Sequence, residues 1–460
     1  MLVSVLLGLV SSCNNYNNNY YGNATNTAPV PLNKLTFRAY VSNPVQPTGL
    51  GSGTPGLNVV DALHDVVSPF TIPLASLSAS VNDPGMMAVS PKRDRTLVSS
   101  PTDNRLGIVS NLQNSLSSAV ILSGSTESFF VWSDNNTAFA AEPNASMPGL
   151  PPGAVERIDL PSAKVTATIP IPGAHYIVPS PDGNSFLVFP DNSNTVTLVT
   201  PGLIGTNTQS NAQVPCSSTQ TGACVLAGGF DRPVWAVFNG SNTTAYILNC
   251  GEQCGGTGVG ACLTFTSCTT VVALDMTQSP PTLSASVAVP AATIGLLQGN
   301  TLYVAGTPTA AADNNCAGVK TAAATCGRLT VVDVGSMSAA TPLAITDGYH
   351  SHIQMGSNAQ LFIGSRGCAN INIAGGEMRG CLTIVNTTSG SISASSVVAP
   401  PDNGDVTGIA PIPNRAVVYV CEGGNLRVYS TTTDQLVVFK QPAVSPGIVG
   451  QAVDVKVVDF

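Results

Sequence analysis

The chain has 460 residues, of which 9% are charged, against roughly 25% in ordinary soluble proteins. Its 44 Gly and 34 Pro, with many Ser, Thr and Asn, supply polarity through turns, hydroxyls and amides. The net charge of -8 comes without any cluster of Lys or Arg; such a balance repels phosphate backbones and excludes nucleic acid as a partner.

Leu2 to Val10 is an apolar stretch far shorter than the roughly 20 residues that span a bilayer, and it ends at Val10-Ser11-Ser12-Cys13. This resembles a bacterial lipoprotein lipobox, which implies that residues 1–12 are a signal peptide and that Cys13 carries a lipid holding the mature chain to a membrane. Asn14 to Thr27 is rich in Asn and Tyr with no apolar periodicity. Residues 13–34 therefore read as a flexible tether, and residues 35–460 as one folded domain.

From Phe37 onward short apolar runs alternate with polar turns. Labelling the strands of each unit a to d, unit 1 opens directly on strand b, Phe37 to Val41, followed by Leu57 to Val60. Unit 2 has Met87 to Pro91, Thr96 to Ser99 and Leu106 to Val109. Unit 3 has Phe129 to Trp132, Ala138 to Ala141, Val155 to Asp159 and Lys164 to Ile169. Unit 4 is the best-preserved copy, with His175 to Pro179, a Ser180-Pro181-Asp182-Gly183 turn, Ser185 to Phe189 and Thr195 to Thr200. Unit 5 has Val234 to Val237, Ala245 to Leu248 and Thr270 to Leu274. Units 6, 7 and 8 offer Leu302 to Ala305 with Leu329 to Asp333, Leu361 to Gly364 with Leu382 to Val385, and Val417 to Val420 with Leu426 to Tyr429.

Each unit reads as a small antiparallel sheet with one edge that needs a neighbour. Unit 1 lacks a strand a, while Gln451 to Val458 is a lone period-2 strand with no b or c after it. The two ends are expected to complete one blade, which leaves no open edge in the ring. The fold class that follows is all-β: a single β-propeller of four-stranded antiparallel blades, eight by repeat count with seven as the alternative, closed by the C-terminal strand. Ser180 to Thr200 resembles the YVTN β-propeller repeat of bacterial lactonase-type propellers; the motif is structural and transfers no chemistry.

Ten cysteines fall into short-range pairs: Cys216 with Cys224, Cys250 with Cys268, Cys254 with Cys262, Cys316 with Cys326, and Cys368 with Cys381, leaving Cys421 as a free thiol. Disulfides imply export to an oxidising compartment, the cell envelope. Zinc on the four cysteines from 250 to 268 is the rival reading. The b-to-c loops Asn43 to Gly56, Pro143 to Gly153, Gly251 to Ser267, Thr307 to Gly327 and Arg366 to Gly380 are long, and the last three carry proposed staples. They predict a built-up top face over blades 5 to 7.

Strand a begins at that face, so His175, Arg232 and His350 are expected at the mouth of the central channel. His352 should lie on the side of His350, and Asp231 and Asp405 are the acids in reach. Imidazoles and a guanidinium converging there suit a carboxylate or a divalent metal, although no cofactor is required. Templates for serine hydrolases, zincins and nucleotide binding are missing. The reading that follows is a lipid-anchored binding scaffold for a protein or glycan. A metal-dependent, lactonase-like hydrolase with its site at the mouth is one alternative, and a structural component of a surface assembly bridged through Cys421 is another.

Overall fold

The computed structural model describes residues 30–44, 55–75, 79–205, 214–217, 222–256, 270–308, 327–368, 372–373, 377–378, 381–392, 405–437 and 452–459. The leader, Cys13 and the tether, together with Cys262, Cys268, Cys316 and Cys326, lie outside the described residues.

Eight antiparallel sheets follow one another along the chain, so units 2 and 3 are both complete blades and the count of seven is set aside. The innermost strands are Met87–Val89, Ser128–Val131, Ala174–Pro179, Pro233–Phe238, Ile294–Gln298, Tyr349–Met355 and Val406–Pro411 for blades 2 to 8, and Asp454–Val457 for blade 1. Each packs against the innermost strands of both neighbouring blades, all the way round. Blade 7 carries an extra hairpin, Asn372–Ile373 with Glu377–Met378, in its b-to-c loop.

The closure is the one expected from the chain ends. Asp454–Val457 pairs antiparallel with Arg38–Asn43, Ala39 lying opposite Val457 and Ser42 opposite Asp454. Side chains lock the seam: the Arg38 guanidinium donates to Asp459 at 2.7 Å. The fully buried Asp454 carboxylate accepts the Met87 N–H of blade 2 at 2.8 Å and the Lys456 ammonium at 2.9 Å. A Cβ on Gly408 would sit 2.8 Å from that carboxylate, which is why blade 8 has glycine there.

Strand periodicity explains the packing. In Phe186–Pro190 of blade 4, Phe186 and Val188 enter a cluster shared with blade 3, whereas Leu187 and Phe189 enter one shared with blade 5. Among the described residues every neighbouring pair of blades encloses such a cluster, eight in all. Both faces of each inner strand are thus buried, so these strands read as continuous apolar runs in place of a one-sided alternation.

The Ser-Pro-Asp-Gly turn of blade 4 is a hydrogen-bonded unit: Ser180 Oγ donates to Asp182 at 2.6 Å, and Gly183 takes φ 72°. Blade 2 builds the same turn from Ser-Pro-Lys-Arg, with Arg93 at φ 59°, and Asn135, Asn242 and Ala359 take the same left-handed position in blades 3, 5 and 7, while in blade 8 the left-handed residue is Asn414, one place earlier in the turn. The backbone turn recurs even where the glycine does not.

Cys216–Cys224 and Cys368–Cys381 form as the spacing predicts. The pairing expected for Cys250 is corrected, since it bonds Cys254. After strand b the chain turns at once into the short 3-10 helix Gly251–Cys254, which folds Cys254 back over Cys250. These disulfides make zinc an unnecessary partner for Cys250 and Cys254, and they belong to an oxidising compartment. Cys421 is free and fully buried between blades 8 and 1, so it is not placed to bridge two molecules. Among the described residues no helix is long and apolar enough to cross a membrane.

Candidate functional site

Each strand a begins where its strand b ends, as in the pairing of Ala174 with Pro190 and of Pro233 with Asn249. The starts of the a strands therefore share a face with the b-to-c loops, and this face holds the channel mouth. Two bridges cross it. The side chains of Tyr176 of blade 4 and Tyr349 of blade 7 meet there, and Arg366 of blade 7 lies 3.9 Å from Glu127 of blade 3. Burial pushes both tyrosine hydroxyls above their ordinary range, so they stay protonated donors.

Beside the tyrosines lies a recess of about 380 Å³, formed by blades 4, 5 and 7 and lined by His175, Tyr176, Asp191, Arg232, Gln253 and Tyr349 among others. His175 Nδ1 is 2.7 Å from Asp191, and its ring stacks on Tyr176 at 4.0 Å between centroids. Tyr176 in turn meets Trp235 edge to face at 6.2 Å. The Arg232 guanidinium donates to the Gly255 carbonyl at 3.2 Å, and the Arg232 N–H is accepted by Asn194 at 3.1 Å. Arg232 has φ 52°, a left-handed conformation in which its blade 4 counterpart is Gly173, at φ 69°.

His175 and Arg232 thus share a recess, as expected, but His350 is elsewhere. A β-bulge interrupts strand a in blades 4, 5, 7 and 8, between Ala174 and Tyr176, Pro233 and Trp235, His350 and His352, and Val406 and Gly408. The residue aligned with His175 is therefore Ser351. His350 takes the place of Ala174 and Val406, both fully buried.

The His350 ring sits beside Gly327 of blade 6 and donates through Nε2 to the Thr346 carbonyl at 2.9 Å. Burial lowers its pKa to about 4, the Thr346 bond opposing the shift only in part. The same bulge breaks simple alternation, so His352 does not follow His350. It is half-buried with Nδ1 2.8 Å from the Ser351 hydroxyl, and burial, aided by the charges of Lys456 and Arg366, lowers its pKa to about 3.

The acids divide similarly. Asp231 is fully buried below Gly251–Cys254, its carbonyl accepting the Gly251 N–H at 3.0 Å. Asp405 accepts the Gly367 N–H at 2.7 Å and lines a second recess of about 220 Å³ with Asp83, Glu127 and Arg366. Among the described residues no three His, Cys, Asp or Glu side chains converge as a metal site would need.

Sequence reasoning missed Tyr176, Asp191 and Tyr349. Asp191 had a signal, because it follows the strand b that pairs with the start of the His175 strand. The two tyrosines meet only through the circular arrangement of the blades.

No protein-family model matches the sequence, nor does any curated protein. Solved structures match in shape. A dihydro-heme d1 dehydrogenase, NirN, in complex with DHE aligns with TM-score 0.58 at 10% identity, over 88% of this chain and 72% of that one. A functionally unknown protein from Desulfotomaculum acetoxidans DSM 771 aligns with TM-score 0.47 at 12% identity, over 92% and 99%. The β-propeller domain of Myceliophteria thermophila Cps50 (Swd1) gives 0.46 at 11%, over 74% and 93%. The first of these likenesses shows the propeller fold. At its identity it shows the fold alone.

Proposed function

We propose that the chain is a non-catalytic binding scaffold of the cell envelope, held to a membrane by lipid on Cys13, which presents its top face to a partner and seats a small polar group of that partner in the recess between blades 4, 5 and 7. The observation that carries this reading is the recess itself: three blades contribute aromatic rings, one guanidinium and one carboxylate to a single concavity, the usual composition of a ligand site. Support for the compartment comes from the disulfides, and support for the anchor from the apolar stretch that ends at Cys13. The YVTN-type resemblance supports the architecture and is silent on the ligand.

The metal-hydrolase alternative drew on His175, His350 and an acid such as Asp231 or Asp405, and the contact of the His350 ring with the Thr346 carbonyl favours the binding reading over it. The test is a thermal-shift screen of the purified chain against sugars, amino acids, nucleosides and small carboxylic acids, repeated on Gln253→Trp, which fills the recess. A ligand that stabilises the natural chain but not the filled variant is the expected result. No stabilising ligand in any class, or equal stabilisation of both proteins, overturns the proposal.

A further inference from the structure

Resting on that reading, we infer that the recess between blades 4, 5 and 7 takes a neutral sugar, a pyranose ring within an oligosaccharide. Charge decides first. The recess holds one guanidinium, Arg232, and one carboxylate, Asp191, the latter paired with His175 at 2.7 Å. An anionic ligand meets Asp191 and a chain of net charge -8, while a cation meets Arg232. A neutral ligand meets neither penalty.

Shape and surface decide next. Tyr176, Tyr349 and the His175 ring give the recess an aromatic wall, whereas Asp191, Arg232 and Gln253 bring acceptors and donors to its rim. A pyranose has an apolar C–H face suited to stacking on a ring and equatorial hydroxyls that bond as donor and acceptor at once. The volume of about 380 Å³ falls within the range of roughly 300–1,000 Å³ that small-molecule sites occupy. The second recess, where Asp83, Glu127 and Asp405 outnumber Arg366, lacks any aromatic ring and does not share this chemistry.

Arg232 provides the handle for the test. Its left-handed backbone is the conformation for which blade 4 uses Gly173, one that glycine adopts without strain. Arg232→Gly therefore removes the guanidinium without straining the fold.

The experiment is calorimetric titration of the full chain with cellotriose, maltotriose, mannotriose and tri-N-acetylchitotriose. Trigalacturonate and chitosan trimer serve as the anionic and cationic probes. At least one neutral trisaccharide is expected to bind saturably, with affinity reduced about tenfold or more in both Arg232→Gly and His175→Ala while each variant still unfolds cooperatively. Failure of every neutral trisaccharide, or unaltered affinity in both variants, overturns the inference. If a charged trimer or a non-sugar binds in a way those variants weaken, the sugar assignment falls while the binding reading stands.

Discussion

Replacing Glu142 by Gln should make the protein more stable, by an amount that grows with pH. Glu142 closes strand b of blade 3, is fully buried, and lies beside the equally buried Glu156 of the next strand. Burial, and then the charge of Glu156, raise its pKa from 4.5 to about 10. In the unfolded chain the carboxyl titrates near 4.5, so folding at neutral pH must bind a proton. The stability this group allows is complete below pH 4.5 and is lost as pH rises toward 10, at about 1.4 kcal/mol per unit.

Between pH 5 and 8 the loss amounts to about 4 kcal/mol. Gln occupies the same volume and has no proton to acquire, so Glu142→Gln avoids that slope. Urea unfolding followed by fluorescence of Trp132, whose ring packs against the blade 3 and 4 cluster, measures both proteins at pH 5, 6, 7 and 8. The stability difference should widen steadily toward alkaline pH. A difference that stays constant with pH, or a variant less stable at pH 8, would refute the assignment of a protonated Glu142.

His350 has the opposite sign: its folded pKa of about 4 lies below the ordinary 6.5, so stability is complete above pH 6.5 and is lost as pH falls, by up to about 3 kcal/mol. His350→Gln should flatten the acid side of the stability profile by one proton, measured by the same unfolding series. Asp454→Ala leaves the Met87 N–H of blade 2 and the Lys456 ammonium without their buried acceptor and should cost about 2–4 kcal/mol at the ring seam, read as a lowered urea midpoint. Peptide mapping without reduction should recover Cys250 joined to Cys254, and a Cys250–Cys268 peptide would contradict the loop geometry. Cys421, buried and with its thiol pKa raised by burial, should resist alkylation until the chain is unfolded.

The ring was legible because its signals are local and repeated. Apolar runs between polar turns mark the inner strands, and the missing strand a of unit 1 together with the lone C-terminal strand identifies the closing blade. The turns were only half legible, since Arg93 adopts the backbone of Gly183 without resembling it. The site was less so. Placing His350 beside His175 required counting residues along strands that each contain a bulge, and a bulge is fixed by hydrogen-bond register with the neighbouring strand, which residue type does not announce. One residue of slip exchanges a mouth position for a core position, which is the whole difference between Ser351 and His350. Cysteine spacing failed at Cys250 for a related reason, because the direction of the chain after strand b is set by a single helical turn.

The bridges over the mouth determine what kind of protein this ring can be. An eight-bladed ring leaves an axial channel, and an open one offers a pore wall more than a pocket. Here Tyr176 with Tyr349, and Arg366 with Glu127, join blades that are distant around the ring, so the mouth is divided into two recesses of different chemistry. The larger is walled by aromatic rings and balanced in charge; the smaller is acidic. Since the innermost strands on which these side chains sit are packed on both faces by the blade clusters, the recess is positioned by the rigid part of the fold. In the proposed binding role, Arg232 and Asp191 at strand ends and Gln253 in the helical turn Gly251–Cys254 are positions where a substitution alters the rim and leaves the cores between blades intact.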